Sequence, residues 1–252
     1  MSNRRPLIAG NWKMFKTCQE ATATADKLVE LTKGITDVDI MIAPSYISLY
    51  AVSEKTKGSS VSLGAQNLHW EKEGAFTGEI SSDMLQSCGC SHVLIGHSER
   101  RQFFSESDET VNKRIKTAIA NGLVPVFCIG ETENERDDEK TFNVLDKQVQ
   151  DGLKDLGSGS LAELVIAYEP VWAIGTGKTA TPAQVQEVHA FLRSLIGKIF
   201  GDDFAGKIRI LYGGSVKPAN ISELMQLDDV DGALVGGASL DADIFSQIVH
   251  FK

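Results

Sequence analysis

The chain is short of cysteine, proline and long apolar runs, and each shortage excludes something. Four cysteines among 252 residues are too few for a disulfide scaffold, and Cys88-Gly89-Cys90 has neither redox CxxC spacing nor that of a zinc knuckle. They read as reduced and mostly as small core residues. There are six prolines and no Pro/Ser-rich tract to act as a linker. Gly157-Ser158-Gly159-Ser160 has linker-like composition, but it sits between a helical pattern and a strand and reads as a loop on the face away from chemistry. Met1 to Arg5 lead straight into a strand-like run, and no segment approaches the ~20 apolar residues of a membrane helix. A cytoplasmic protein with no membrane association is expected. Positive charge is short too: 25 Lys and Arg against 34 Asp and Glu give a formal net charge of -9, which repels nucleic acid and anionic membranes at long range. An anionic small substrate would need a local solution, such as one cation in a cleft together with backbone NH groups.

What is present is regular. Short β-rich runs recur at Leu7 to Ala9, Ile40 to Ala43, Val61 to Gly64, Val93 to Ile95, Val124 to Ile129, Val165 to Tyr168, Ile208 to Tyr212 and Ala233 to Val235. Between them lie amphipathic stretches such as Glu20 to Lys33, Asp108 to Asn121, Lys140 to Leu156, Pro182 to Phe200 and Asp241 to Val249, with apolar residues at helical spacing. Thr181-Pro182 and Lys217-Pro218 carry helix-start signals. Strand followed by helix, repeated eight times, implies a parallel sheet. At this length a closed (β/α)₈ barrel is favoured over an open doubly wound sheet, with residues 1–252 forming one α/β domain.

In such barrels the chemistry sits where the strands end. The first strand ends at Asn11-Trp12-Lys13, the fourth at His97-Ser98-Glu99, the sixth at Glu169, the seventh at Gly213-Gly214-Ser215 and the eighth at Gly236-Gly237. Pro170 biases Glu169 towards extended geometry, and the segment to Lys178 has apolar grip in Val171 and Trp172 but backbone freedom at Gly175 and Gly177, as a hinged lid requires. A carboxylate, an imidazole, one ammonium, a side-chain amide and three glycine-rich turns suit proton transfer beside a carbonyl in a phosphorylated molecule. Two other classes stand beside this reading. Another phosphosugar barrel enzyme, a Schiff-base aldolase or a metal-dependent epimerase, would want a lysine within a strand or clustered ligands, and neither is visible. A phosphate-binding protein without chemistry would be expected to lack Glu169 or His97, and both are present.

Asn11-Trp12-Lys13, Gly96-His97-Ser98-Glu99-Arg100-Arg101, Tyr168 to Gly177, Tyr212-Gly213-Gly214-Ser215-Val216 and Gly236-Gly237-Ala238-Ser239 resemble the triosephosphate isomerase family, in order and over essentially the whole chain. The resemblance implies interconversion of dihydroxyacetone phosphate and D-glyceraldehyde 3-phosphate through an enediolate, with no metal and no organic cofactor. It implies Glu169 as the base and His97 as a neutral electrophile, its imidazolium disfavoured by helix-terminal NH groups. Lys13 and Asn11 would hold substrate, and backbone NH groups at Gly175, Ser215, Gly236 and Gly237 would hold its phosphate. Glu99 and Ser98 would be supporting residues, Glu99 either orienting Lys13 by a charge pair, the favoured reading, or helping to relay protons. Cys128 resembles a family core cysteine, and His69, His92, His189 and His250 read as structural.

The connection from Gln66 to Glu79 is long for its place and carries Trp70 and Phe76. Its Gly74 to Gly78 segment resembles the family's interdigitating loop, which implies a homodimer with Phe76 and Thr77 near the partner's Asn11 to Lys13. Two features depart from the family pattern. Phe15 stands where a small polar residue is usual and bears on the interface packing, and the acidic Asp241 and Asp243 follow the last glycine turn and bear on phosphate affinity, neither effect being fixed by the sequence.

Overall fold

A computed structural model describes residues 4–251. Eight parallel strands close into a barrel in sequence order: β1 (Leu7–Asn11), β2 (Asp39–Ala43), β3 (Val61–Ala65), β4 (His92–Ile95), β5 (Val124–Ile129), β6 (Val165–Tyr168), β7 (Arg209–Tyr212) and β8 (Gly232–Val235). Closure is made by β1 against β8, with Leu7 opposite Gly232 and Gly10 opposite Val235. The expected barrel thus spans the described residues, while Met1 to Asn3 and Lys252 lie outside them.

Strand side chains alternate between two apolar layers, as a period of two demands. Leu7, Ala9, Met41, Leu94, Val126, Cys128, Val165, Ala167, Leu211 and Leu234 fill the barrel interior. Ile8, Ile40, Ile42, Val93, Ile95, Phe127, Ile166 and Ile210 belong to the larger layer beneath the helices. At roughly 1.5 to 3 kcal/mol for each fully buried aliphatic or aromatic side chain, these two layers dominate stability and hold the strand ends in fixed relation.

The helices start where the sequence signals place them, with some shifts. Thr17 and Glu20 form a capping box, so the first long helix begins at Cys18 and runs to Leu31, a box that the apolar pattern alone did not reveal. The pattern expected to reach Leu156 stops at Gly152, because Leu153 closes the last turn and Asp155 takes a left-handed φ of 61°. Thr181 caps Pro182–Phe200 as expected, and Gly157 to Ser160 form an exposed turn ahead of β6.

Candidate active site

Glu169 is clamped at the barrel mouth by its neighbours. Its NH donates to Ile129 O at 2.7 Å, and the Gly213 NH donates to Tyr168 O at 2.7 Å, so the end of β6 is tied to β5 and β7. Gly130 lies flat against it: a Cβ there would come within 1.7 Å of Glu169 O and force the strand ends apart. The carboxylate is buried, with Oε1 2.9 Å from His97 Nε2 and Oε2 accepting the Ser98 NH at 3.0 Å. Burial alone would raise its pKa, but His97 and the Ser98 NH more than offset that, and the group is held below the ordinary carboxylate value.

His97 caps the helix Ser98–Phe103, its Nδ1 accepting the Glu99 NH at 3.2 Å. That makes Nδ1 an acceptor, so the proton of a neutral ring sits on Nε2, facing Glu169. The neighbouring carboxylate works against the expected disfavouring of the imidazolium. Burial opposes the charge, yet the adjacent carboxylate of Glu169 raises the imidazole pKa above its usual value. A sequence shows the helix start that would lower this pKa but not the carboxylate, 72 residues away in the chain, that raises it.

Lys13 has a left-handed φ of 50°, a conformation that costs a non-glycine residue on the order of 1 to 3 kcal/mol. Three contacts hold it. Its NH donates to Asn11 Oδ1 at 3.0 Å, its carbonyl accepts from Gln66 Nε2 at 2.8 Å, and its ammonium lies 2.5 Å from Glu99 Oε1. A Cβ on Gly236 would meet Lys13 Cε at 3.4 Å, which places the cation beside the last glycine turn.

Asn11, Lys13, His97, Glu169, Gly175, Ser215, Gly236 and Gly237 all line one cleft of about 430 Å³. Ser98 does not line it, and reaches Glu169 only through its NH. Glu99 touches the set through Lys13 and through its NH to His97. Residues 175–179 of the segment after Glu169 are exposed, Gly175 and Gly177 having φ of 70° and 81°. Behind that segment a second cleft of about 660 Å³ is lined by Ser98, Gln148, Trp172 and, from its other side, Glu169.

Two residues escaped the sequence reading. Glu131, fully buried, accepts from Tyr168 Oη at 3.0 Å, Trp172 Nε1 at 2.9 Å and Arg136 Nη1 at 3.3 Å, fastening the first turn of the segment, Val171–Ala173. It stands two positions after β5, so the strand-end rule applied to the other strands could have found it. Gln66 has no such signal beyond following β3. Cys128 faces the barrel interior, where burial drives its thiol pKa far up, consistent with packing and not nucleophilic chemistry. None of His69, His92, His189 and His250 lines the 430 Å³ cleft.

The two acidic residues stand outside the cleft. Asp241 accepts the Ile244 NH at 3.0 Å as the cap of Ala242–Val249, Asp243 pairs with Lys27, and neither lines the cleft.

The triosephosphate isomerase family model matches residues 6–252. The chain belongs to the triosephosphate isomerase family. It is 57% identical to the triosephosphate isomerase of Geobacter metallireducens over 249 residues, covering 99% of each chain. The enzymes of that name from Trichlorobacter lovleyi and Endomicrobium trichonymphae are 54% and 53% identical, again over 99% of both chains. In this family context the closed barrel is the expected architecture.

Proposed function

We propose that this chain interconverts dihydroxyacetone phosphate and D-glyceraldehyde 3-phosphate, as a step of glycolysis and gluconeogenesis. The observation that carries the reading is the meeting of Glu169, His97, Lys13 and Asn11 in one cleft whose far wall is the glycine turns at Ser215, Gly236 and Gly237.

Substrate enters between Glu169 and His97, replacing their 2.9 Å contact. Glu169 removes a proton from the carbon bearing the hydroxyl, and the electron pair left behind forms the enediolate double bond while the carbonyl π electrons move to oxygen. His97 Nε2–H donates to that oxygen, with Lys13 supplying positive charge and Asn11 a further donor. His97 also relays the hydroxyl proton between the two oxygens. The protonated Glu169 then returns its proton to the neighbouring carbon, which completes the aldose without net loss of protons or electrons. Phosphate is held by backbone NH groups of Gly175, Ser215, Gly236 and Gly237, neutral donors that suit a chain of net charge -9. Residues 170–178 act as a lid that closes on phosphate.

The working unit in this reading is a cytoplasmic homodimer. Met14, Phe15, Ile47, Tyr50, Phe103 and Phe104 are exposed on the connections after β1, β2 and β4, and Phe76 projects on the connection after β3, packed on its own His69 at 4.4 Å between ring centroids. An apolar rim along one side of the mouth supports burial against a second copy, with Phe76 and Thr77 reaching the partner's Asn11 to Lys13 region. The four free cysteines fit a reducing compartment.

The test is an assay coupled to glyceraldehyde 3-phosphate production, run on wild type and Glu169→Ala together. Loss of the general base should lower kcat by about 10²- to 10⁴-fold with the circular dichroism spectrum unchanged. A variant that turns over as fast as wild type would remove Glu169 from the mechanism.

A further inference from the structure

Gln66 is the first residue after β3, and its side-chain amide does something its position in sequence does not announce. One Nε2 hydrogen is donated to Lys13 O at 2.8 Å and the other to Ala43 O at 3.0 Å. Ala43 is the last residue of β2, and its carbonyl also accepts the Trp12 NH at 3.1 Å. One amide therefore ties together the chain leaving β1, β2 and β3. The amide's orientation is set by chemistry, because its oxygen in the same place would face two carbonyl oxygens.

Lys13 needs such a tie. At a φ of 50° it occupies a region from which an L-residue relaxes when nothing opposes it. Asn11 holds its NH and Glu99 its ammonium, but neither fixes the Lys13 carbonyl. The side chain of the next residue, Met14, is 94% exposed. Lys13 and Glu99 side chains are 21% and 39% exposed, so their ion pair is screened and cannot alone dictate the backbone.

We propose that Gln66 is a positioning residue for Lys13, holding its strained backbone so that the ammonium stays at the edge of the cleft beside Gly236. The inference rests on the reading of Lys13 as the cation that meets phosphate and oxyanion. Gln66 touches no reacting atom and does not line the cleft. Its effect passes through the peptide plane between Lys13 and Met14: without the two donated hydrogen bonds that plane rotates, and the lysine stem swings with it.

The experiment is a double-mutant cycle on the full-length protein. Its probe is 2-phosphoglycolate, a two-carbon phosphorylated carboxylate with the planar shape and charge of an enediolate phosphate. Gln66→Met fills the same space without donors, and should raise the calorimetric Kd and lower kcat/KM by about tenfold or more, the scale expected for displacing a site group by a fraction of an ångström to an ångström. In a Lys13→Ala background the same substitution should change Kd by less than about twofold, since nothing remains to position. Gln66→Asn, which keeps the amide but shortens its reach, is the second variant should the methionine chain fail to fold, and should weaken binding in the same direction. Equal weakening in both backgrounds, or none in the wild-type background, overturns the proposal. Lys13→Ala that binds as well as wild type overturns the reading of Lys13 as well. A damaging Lys13→Ala with a harmless Gln66→Met overturns the positioning alone.

Discussion

Trp172→Phe isolates a single bond at the lid. The indole Nε1 donates at 2.9 Å to Glu131, a carboxylate with no exposed surface, and a hydrogen bond to such a charged group is worth about 1.5 to 3 kcal/mol. Phenylalanine keeps an aromatic face for the Arg136 guanidinium, now 5.3 Å from the indole centroid. Glu131 also keeps its bonds from Tyr168 and Arg136, so the lower end of that range applies. If the bond belongs only to the open lid, losing it shifts the open-to-closed ratio by about tenfold towards closed, at 1.4 kcal/mol per decade. A ligand that binds the closed form gains the same factor, because its apparent affinity scales with the closed population. The Kd for 2-phosphoglycolate, measured by calorimetry, should therefore tighten by about tenfold, while kcat should fall wherever reopening limits turnover. An unchanged or weakened Kd, with the thermal midpoint intact, would show that Trp172 keeps Glu131 in both lid positions and that the bond is no latch.

Two further outcomes are expected. Replacing Phe76 and Thr77 by glutamate should move the sedimentation profile towards monomer, since a buried aromatic contributes roughly 1.5 to 3 kcal/mol, and activity should fall in parallel; a fully active monomer would refute the docking of that loop. His189, fully buried with Nδ1 3.1 Å from Asp229 O, has its pKa lowered by burial from 6.5 to about 4. It stays neutral in the fold, so its contribution is complete above pH 6.5 and is lost as pH falls towards 4; at pH 5 the loss is about 2 kcal/mol. His189→Gln should flatten the acid limb of a denaturation series between pH 7.5 and 5 by that amount, and an equally steep limb in the variant would place the titrating group elsewhere.

The parts of this molecule that were legible in the sequence are those with a local signature. Each strand announced itself by a short apolar run, Thr181-Pro182 by its capping chemistry, and Glu169 by following such a run and preceding a proline. What stayed hidden depends on separation along the chain. Gln66 meets Lys13 across 53 residues and Glu131 meets Trp172 across 41, and nothing in the neighbourhood of a glutamine or glutamate reports a partner that distant. The His97 pKa is of the same kind, the burial that opposes its charge being outweighed by the distant carboxylate of Glu169. Asp241 shows the reverse: it follows the last glycine turn closely in sequence, yet its carboxylate caps the next helix and does not line the cleft.

The closure of the ring has a consequence for biosynthesis. The cleft draws Lys13 from the loop after β1, His97 from after β4, Glu169 from after β6, and Gly236 from after β8, and the first and last of these become neighbours only through the pairing of Leu7 with Gly232. That contact spans nearly the entire polypeptide, so its loop-closure entropy is met only once the chain is almost fully synthesised. A ribosome-bound fragment ending before β8 carries the carboxylate and the imidazole but has neither the wall beside Lys13 nor a sealed edge on β1 or β7. Exposed strand edges and an unfinished cleft thus coincide in the same intermediates, and maturation of the cleft and protection from aggregation arrive together with the final strand.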